Sequence, residues 1–178
     1  FIERYNINTI TVWDDNFFVD KEQAIALLDF FKEQNLTIEF VNGFPVYRMD
    51  EDIAKKLKMS GVDVVTLAIE SGNPRVLREI IHKPLKLEMV PKAIDCLNKY
   101  DIYVKGLFVI GFPGETLEDI QITMDFINNS RLNWIDIFIA SPLPGSELYE
   151  KCKEGNYLKS EDLDACNFWQ GNIETEYF

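Results

Sequence analysis

Five short apolar, β-branched runs, each followed by an amphipathic stretch, constrain this chain more than any other feature. The runs are Ile7–Trp13, Thr37–Val41, Val62–Ile69, Tyr103–Ile110 and Trp134–Ala140. Each has the length of a strand and is apolar on both sides, as strands covered by helices are. Strands that alternate with helices build right-handed βαβ units and therefore a parallel sheet. A barrel and a doubly wound sheet both satisfy this order, and order alone does not choose between them.

The intervening stretches carry helix start and stop signals. Asp20-Lys21-Glu22-Gln23 reads as a capping box, followed by an apolar face of Ala24, Leu27, Leu28 and Phe31. Asp50-Glu51-Asp52 places acids at the positive end of the next helix. Lys55, Lys56 and Lys58 fall near its negative end, and Gly61 stands where a C′ glycine belongs. Leu87, Val90, Ile94 and Leu97 mark a further helix face. Thr116 caps another, with Ile120, Met124 and Ile127 inward, and Glu147 to Glu154 is a short last helix. The opening residues Phe1 to Tyr5 read as a helix tail with no strand before it, which predicts a chain cut from a longer protein.

The 178 residues suffice for one sizeable core, burying about 70% of the unfolded surface. Hydrophobic residues at 47% and charged residues at 27% are ordinary for a globular protein. No charge-free run approaches the ~18 residues of a membrane span, and Phe1–Tyr5 lacks the basic-then-apolar order of a signal peptide. A cytoplasmic setting is expected. Thirty acids against 18 basic residues give a net charge of −12, a field that repels phosphate backbones and speaks against nucleic-acid binding by this segment; acidic excess also serves solubility. Cys96, Cys152 and Cys166 are far apart, with no CxxC or CxxxCxxC spacing, so neither a disulfide framework nor a metal site follows from them. The lone His82 reads as a surface or internally satisfied residue.

Chemistry in parallel α/β proteins gathers on the loops after the strands. Here those loops read Asp14-Asp15-Asn16-Phe17, Asn42-Gly43, Glu70-Ser71-Gly72-Asn73-Pro74, Gly111-Phe112-Pro113-Gly114-Glu115-Thr116 and Ser141-Pro142-Leu143-Pro144-Gly145-Ser146. Any one of them could be a plain turn or helix cap. Together they predict a rim built to hold a polar small molecule, with Gly111 and Gly114 allowing close approach of backbone. The carboxylates Asp14, Asp15, Glu70 and Glu115 suit the ammonium and ribose hydroxyls of a nucleoside amino acid. They equally suit an acid/base pair of a glycoside-processing barrel.

Four motifs, in order, resemble the radical S-adenosylmethionine (radical SAM) superfamily, in its cobalamin-binding and methylthiotransferase branch. They are Asp14-Asp15-Asn16-Phe17-Phe18-Val19-Asp20; Leu67-Ala68-Ile69-Glu70-Ser71-Gly72, with Ala68 where glycine is usual, then His82-Lys83-Pro84; Gly106 through Thr116; and Pro142-Leu143-Pro144-Gly145-Ser146, with Ser146 for threonine. The resemblance implies an α/β fold, a partial (β/α)6 barrel of parallel strands with the first βα unit missing. Residues 1–154 would form the barrel and residues 155–178, with Tyr157, Phe168 and Trp169, an extension packed on its end.

The resemblance also implies function. A complete member holds a [4Fe–4S] cluster on CxxxCxxC after its first strand and cleaves S-adenosylmethionine to a 5′-deoxyadenosyl radical, with electrons from an external donor. In this chain the Asp14-Asp15 loop would lie near the methionine moiety, and Asn42 would also bind the cofactor. Glu70 and Ser71 would face the sugar or amino-acid part. Ile110, Gly111, Pro113, Gly114 and Glu115 would back the adenosine, and Pro142 would border the adenine. No CxxxCxxC is present, and the three cysteines are not appointed as replacements. The segment is therefore expected to be a catalytically silent cofactor cradle, its substrate unspecified and any cobalamin domain upstream. A cluster-free barrel enzyme and a non-catalytic binding module are the rival expectations.

Overall fold

The computed structural model describes residues 1–160 and 171–177. In chain order the elements are α1 (Ile2–Tyr5), β1 (Thr9–Val12), α2 (Lys21–Glu33), β2 (Thr37–Phe40), a 3₁₀ turn (Val46–Arg48), α3 (Glu51–Met59), β3 (Val64–Glu70), a π-helical turn (Val76–Ile80), α4 (Met89–Asn98), β4 (Tyr103–Ile110), α5 (Leu117–Asn128), β5 (Trp134–Ile139) and α6 (Glu147–Glu154). All five expected strands exist. β4 and α6 coincide with their sequence bounds, whereas β1 is shorter at both ends than its apolar run, although Asn8 O still accepts the N–H of Thr37 at 2.9 Å.

β1 and β2 pair in parallel, with Thr9 opposite Thr37 and Val12 opposite Phe40. Phe44 then bridges Leu67 of β3, also in parallel, and β3, β4 and β5 form a three-stranded sheet in that order. Asn133 N–H donates to Val104 O at the start of β5, and Ala140 N–H donates to Ile110 O at its end, so β4 and β5 run the same way. Neighbours therefore follow chain order throughout, and the fold is α/β with parallel strands.

Two compact units divide the chain. The first comprises Phe1–Ile69, Leu87–Gly106 and Arg131–Ile135; the second comprises Glu70–Lys86, Leu107–Ser130 and Asp136–Phe178. In the first, Leu28 of α2, Ile53 and Leu57 of α3, Val65 and Leu67 of β3, and Ile94 and Leu97 of α4 are buried. Each contributes roughly 1.5–3 kcal/mol of burial free energy. Phe17, Phe18, Phe40 and Phe44 stack edge-on beside them. Asp50 caps α3 through Ile53 N–H at 2.8 Å, and Gly61 follows its end at φ 84°, as expected. Asp20 likewise caps α2, accepting from Gln23 N–H at 3.0 Å, but the cap is that side chain's alone. Leu27 departs from expectation: it is exposed, and Ala24 and Leu28 are the buried residues of α2. A 13-residue helix against a short two-stranded ladder buries only a narrow stripe, and Leu27 lies at its margin.

In the second unit, Ala140, Cys152 and Ile173 form a core cluster with Val109, Phe112, Leu148, Tyr157 and Leu158 packed against it. Leu158 and Ile173 also make an antiparallel bridge, so part of the C-terminal stretch packs beside the end of β5. Cys166, Phe168 and Trp169 lie outside the described residues. The buried face of α5 is Asp119, Thr123 and Ile127 rather than a purely apolar stripe; Ile120 and Met124 are half-buried. The polar pair goes inward because each side chain has a partner there. No described helix is long and apolar enough to cross a membrane.

Candidate functional site

The loops after β1 and β2 meet in the first unit. Asn42 Nδ2 donates to Asp15 Oδ1 at 2.7 Å and to Trp13 O at 2.9 Å. Asp14 accepts the N–H of Asn16 at 2.7 Å, closing a tight turn. Of the carboxylates singled out in this loop, Asp15 is thus tied across to the neighbouring strand's loop and Asp14 shapes its own. Asn16 Oδ1 is buried and has no partner.

The loops after β3, β4 and β5 belong to the second unit. Glu70 ends β3 with φ at 71°, a left-handed conformation that costs a non-glycine residue about 1 kcal/mol or more. Its carboxylate accepts from Lys83 Nζ at 3.2 Å, both side chains being about three-quarters buried. Lys83 is delivered by an unexpected π-helical turn, in which Ile81 N–H reaches back to Val76 O at 2.9 Å. Ser71 is fully buried, its hydroxyl shared between Thr123 Oγ1 at 2.9 Å and Asn73 N–H at 3.1 Å.

Beyond β4 the chain turns through Gly111 at φ 88°. Glu115, fully buried, accepts the N–H groups of Gly111 at 2.6 Å and Phe112 at 3.1 Å on its Oε2. Its Oε1 has no partner. Burial pushes this carboxyl above its ordinary range, and the two backbone donors only partly oppose that. The loop Gly111–Glu115 is therefore wound around its own glutamate. Pro113 and Pro142 are buried, Gly114 is exposed and Ile110 half-buried.

Beside this loop an apolar cavity of about 320 Å³ opens between the ends of β4 and β5. It is lined by Leu107, Val109, Phe112, Phe138, Ala140 and Ser141, among others. Ser141 is among the lining residues, but its Oγ is itself buried and without a partner. Sequence reading named Ser141 only as part of the loop after the fifth strand and did not foresee the cavity, which forms between two strands.

It also missed Arg75 and Asp119. Arg75 Nε donates to Asp119 Oδ1 at 3.0 Å, and its Nη2 reaches both Asp119 Oδ2 and, at 3.0 Å, Gly114 O. The Arg75 guanidinium holds the Asp119 carboxyl far below the usual carboxylate range. Asp119 belongs to a full capping box with Thr116.

A [4Fe–4S] cluster does not fit the residues present. Cys96 lies on α4 and Cys152 on α6, and burial pushes both thiols up, away from the thiolate that binds iron. Among the described residues no three His, Cys, Asp or Glu side chains gather as a metal site.

The fold is α/β, with parallel strands followed by polar, glycine-turned loops. Comparison with known proteins places it further. The Radical SAM superfamily model matches residues 1–127, and the chain belongs to that superfamily. It is 35% identical to cytidylyl-2-hydroxyethylphosphonate methyltransferase of Streptomyces wedmorensis, over 96% of this chain and 33% of that protein. It is 32% identical to an uncharacterized methyltransferase of Pyrococcus horikoshii, over 86% of this chain and 33% of the relative. The chain thus spans about a third of the length of these relatives. The fold is similar to TsrM of Kitasatospora setae, a radical S-adenosylmethionine methyltransferase structure with cobalamin and a [4Fe-4S] cluster bound. That match has a TM-score of 0.63 at 16% identity and covers 77% of this chain and 29% of TsrM.

Proposed function

We propose that the second unit forms the S-adenosylmethionine-binding wall of a radical SAM enzyme, with the nucleoside base in the cavity between the ends of β4 and β5. The carrying observation is that apolar cavity beside the turn held by Glu115. The residues present fit this cofactor. Phe112, Val109 and Phe138 offer apolar surface to a base, and Glu70 offers a carboxylate to a ribose hydroxyl or an ammonium group. Glu115 acts by shaping the Gly111–Phe112 backbone rather than by touching the ligand. S-adenosylmethionine, when bound, supplies the activated carbon–sulfur bond of the family's chemistry; the chain's own residues bind it, orient it and keep water from its base.

The cluster of the whole protein is proposed to be held by cysteines outside these 178 residues, with electrons from a separate donor in a reducing, cytoplasmic setting. The strands are proposed to belong to a partial barrel of the (β/α)6 kind over residues 1–154, lacking its first βα unit here, with residues 155–178 an extension. Support comes from the chain-order pairing and from β1, which pairs only with β2 among the described residues. The methyltransferase relatives support transfer of a one-carbon unit as the outcome, on a substrate the wall does not identify.

Titration calorimetry with S-adenosylmethionine tests the reading. Val109→Trp, which fills the cavity, is expected to abolish binding, and Glu70→Ala to weaken it about tenfold. Binding untouched by both substitutions overturns the proposal.

A further inference from the structure

The loops after β3 and β4 are joined by a polar network that base and ribose recognition leaves unused. At its centre the carboxylate of Asp119 is 6% exposed. Oδ1 accepts from Arg75 Nε and, at 2.8 Å, from Asn73 Nδ2. Oδ2 accepts from Arg75 Nη2 and from the N–H and hydroxyl of Thr116, at 2.9 and 2.7 Å. Arg75 also donates to Gly114 O, and its own N–H donates to Asn73 Oδ1 at 2.8 Å. Asn73 in turn is held by Ser71, and Ser71 by Thr123 of α5.

The capping box of α5 requires only Thr116 and Asp119, each of which accepts the other's N–H. Arg75 and Asn73 add nothing to that cap. What they add is a fixed spacing between two loops that would otherwise move independently, as loops beyond strand ends do. The planar guanidinium is the one side chain that can bond a carboxylate through two nitrogens and a carbonyl as well, in a single geometry.

We propose that Arg75 is a positioning residue for S-adenosylmethionine: through Asp119 and the carbonyl of Gly114 it locks the loop Glu70–Arg75 to the loop Gly111–Thr116, so that both present their groups to the ligand in one geometry. This rests on the reading that this rim binds S-adenosylmethionine. The lock itself stands apart from that reading, and the two are tested by separate measurements.

The intact protein carrying this chain is compared with its Arg75→Lys variant, with Arg75→Gln as substitute should the lysine variant fail to fold. Hydrogen exchange at Gly114–Thr116 reads the lock, and calorimetric titration with S-adenosylmethionine reads positioning. Loss of the fork is expected to speed exchange at these amides about tenfold and to weaken binding about tenfold. Ile53→Val, a core change in the other unit, serves as a control that lowers stability and leaves affinity unchanged. Unaltered exchange in the Arg75 variant overturns the lock. Faster exchange with unchanged affinity overturns the positioning role and leaves a merely structural one. An affinity loss matched by the Ile53→Val control overturns it too. A wild-type protein that binds no S-adenosylmethionine while the exchange effect appears overturns the proposed function, and the positioning role with it.

Discussion

Glu115 Oε2 lies 2.6 Å from the amide nitrogen of Gly111, four residues upstream, and this bond holds the turn that leaves β4. Its sister oxygen is buried without a partner, and burial raises the carboxyl's pKa in the folded state. A folded-state pKa raised above the ordinary 4.5 means that the native protein binds more protons than the unfolded chain. The resulting stability is fully present below that ordinary value and is lost as pH rises through the folded pKa. Glu115→Gln, which keeps an acceptor for the turn but cannot ionise, is expected to flatten this fall. Melting temperatures from pH 4 to pH 8 check it; an unchanged slope refutes the assignment.

Thr116→Ala should cost more than Asp20→Ala. Both remove an N-cap worth about 1 kcal/mol. The Thr116 hydroxyl, however, also donates to Asp119 Oδ2 and accepts from Asp119 N–H, whereas Asp20 makes a single bond to Gln23 N–H. Chemical denaturation of the two variants gives the comparison, and equal losses would show that the box at α5 adds nothing beyond an ordinary cap.

Gly43 and Ala68 are predicted to be energetically coupled. A Cβ built on Gly43 falls 2.9 Å from Ala68 Cβ and 3.2 Å from its backbone nitrogen. Gly43→Ala is therefore expected to destabilise by about 1–3 kcal/mol through overpacking. Adding Ala68→Gly removes the nearest atom but leaves the backbone contact, so rescue should be partial. A double-mutant cycle measures the coupling, and strict additivity would exclude the contact as the cause.

Much of this architecture was legible. Tyr103–Ile110, the caps Asp20, Asp50 and Thr116, and the glycine after α3 all announce themselves through local chemistry, which a sequence displays directly. The lock around Asp119 does not. Asp119 reads as one more first-turn acid and Arg75 as a surface charge after Pro74, because their meaning arises only when two loops 44 residues apart are folded together. Leu27 errs the other way: its spacing qualifies it for burial, and the width of the surface α2 covers decides against it. Ser141 and the apolar cavity likewise arise from two strand ends lying side by side, which no local signal encodes.

Anaerobic reconstitution of the 178-residue chain with iron and sulfide is expected to give no stoichiometric cluster. Cys152 is fully buried, packed with Ala140 and Ile173, and the Cys96 thiol is raised by burial and neighbouring acids. Absorbance and iron counts per chain check this. A cluster lost on Cys96→Ala or Cys152→Ala would overturn it.

The π-helical turn at Val76–Ile80 adds a requirement of length to a segment whose Val76 and Leu77 are already fixed by burial. Its Ile81 N–H reaches back five residues to Val76 O rather than four, and Lys83, two residues on, bonds Glu70. Deleting one position would let the turn relax to the ordinary 3.6-residue winding and would change the span between Glu70 and Lys83. Val76 and Leu77 are held by burial, and Asn73 and Arg75 by their bonds to Asp119, so between Glu70 and Lys83 both the spacing and these side chains are constrained.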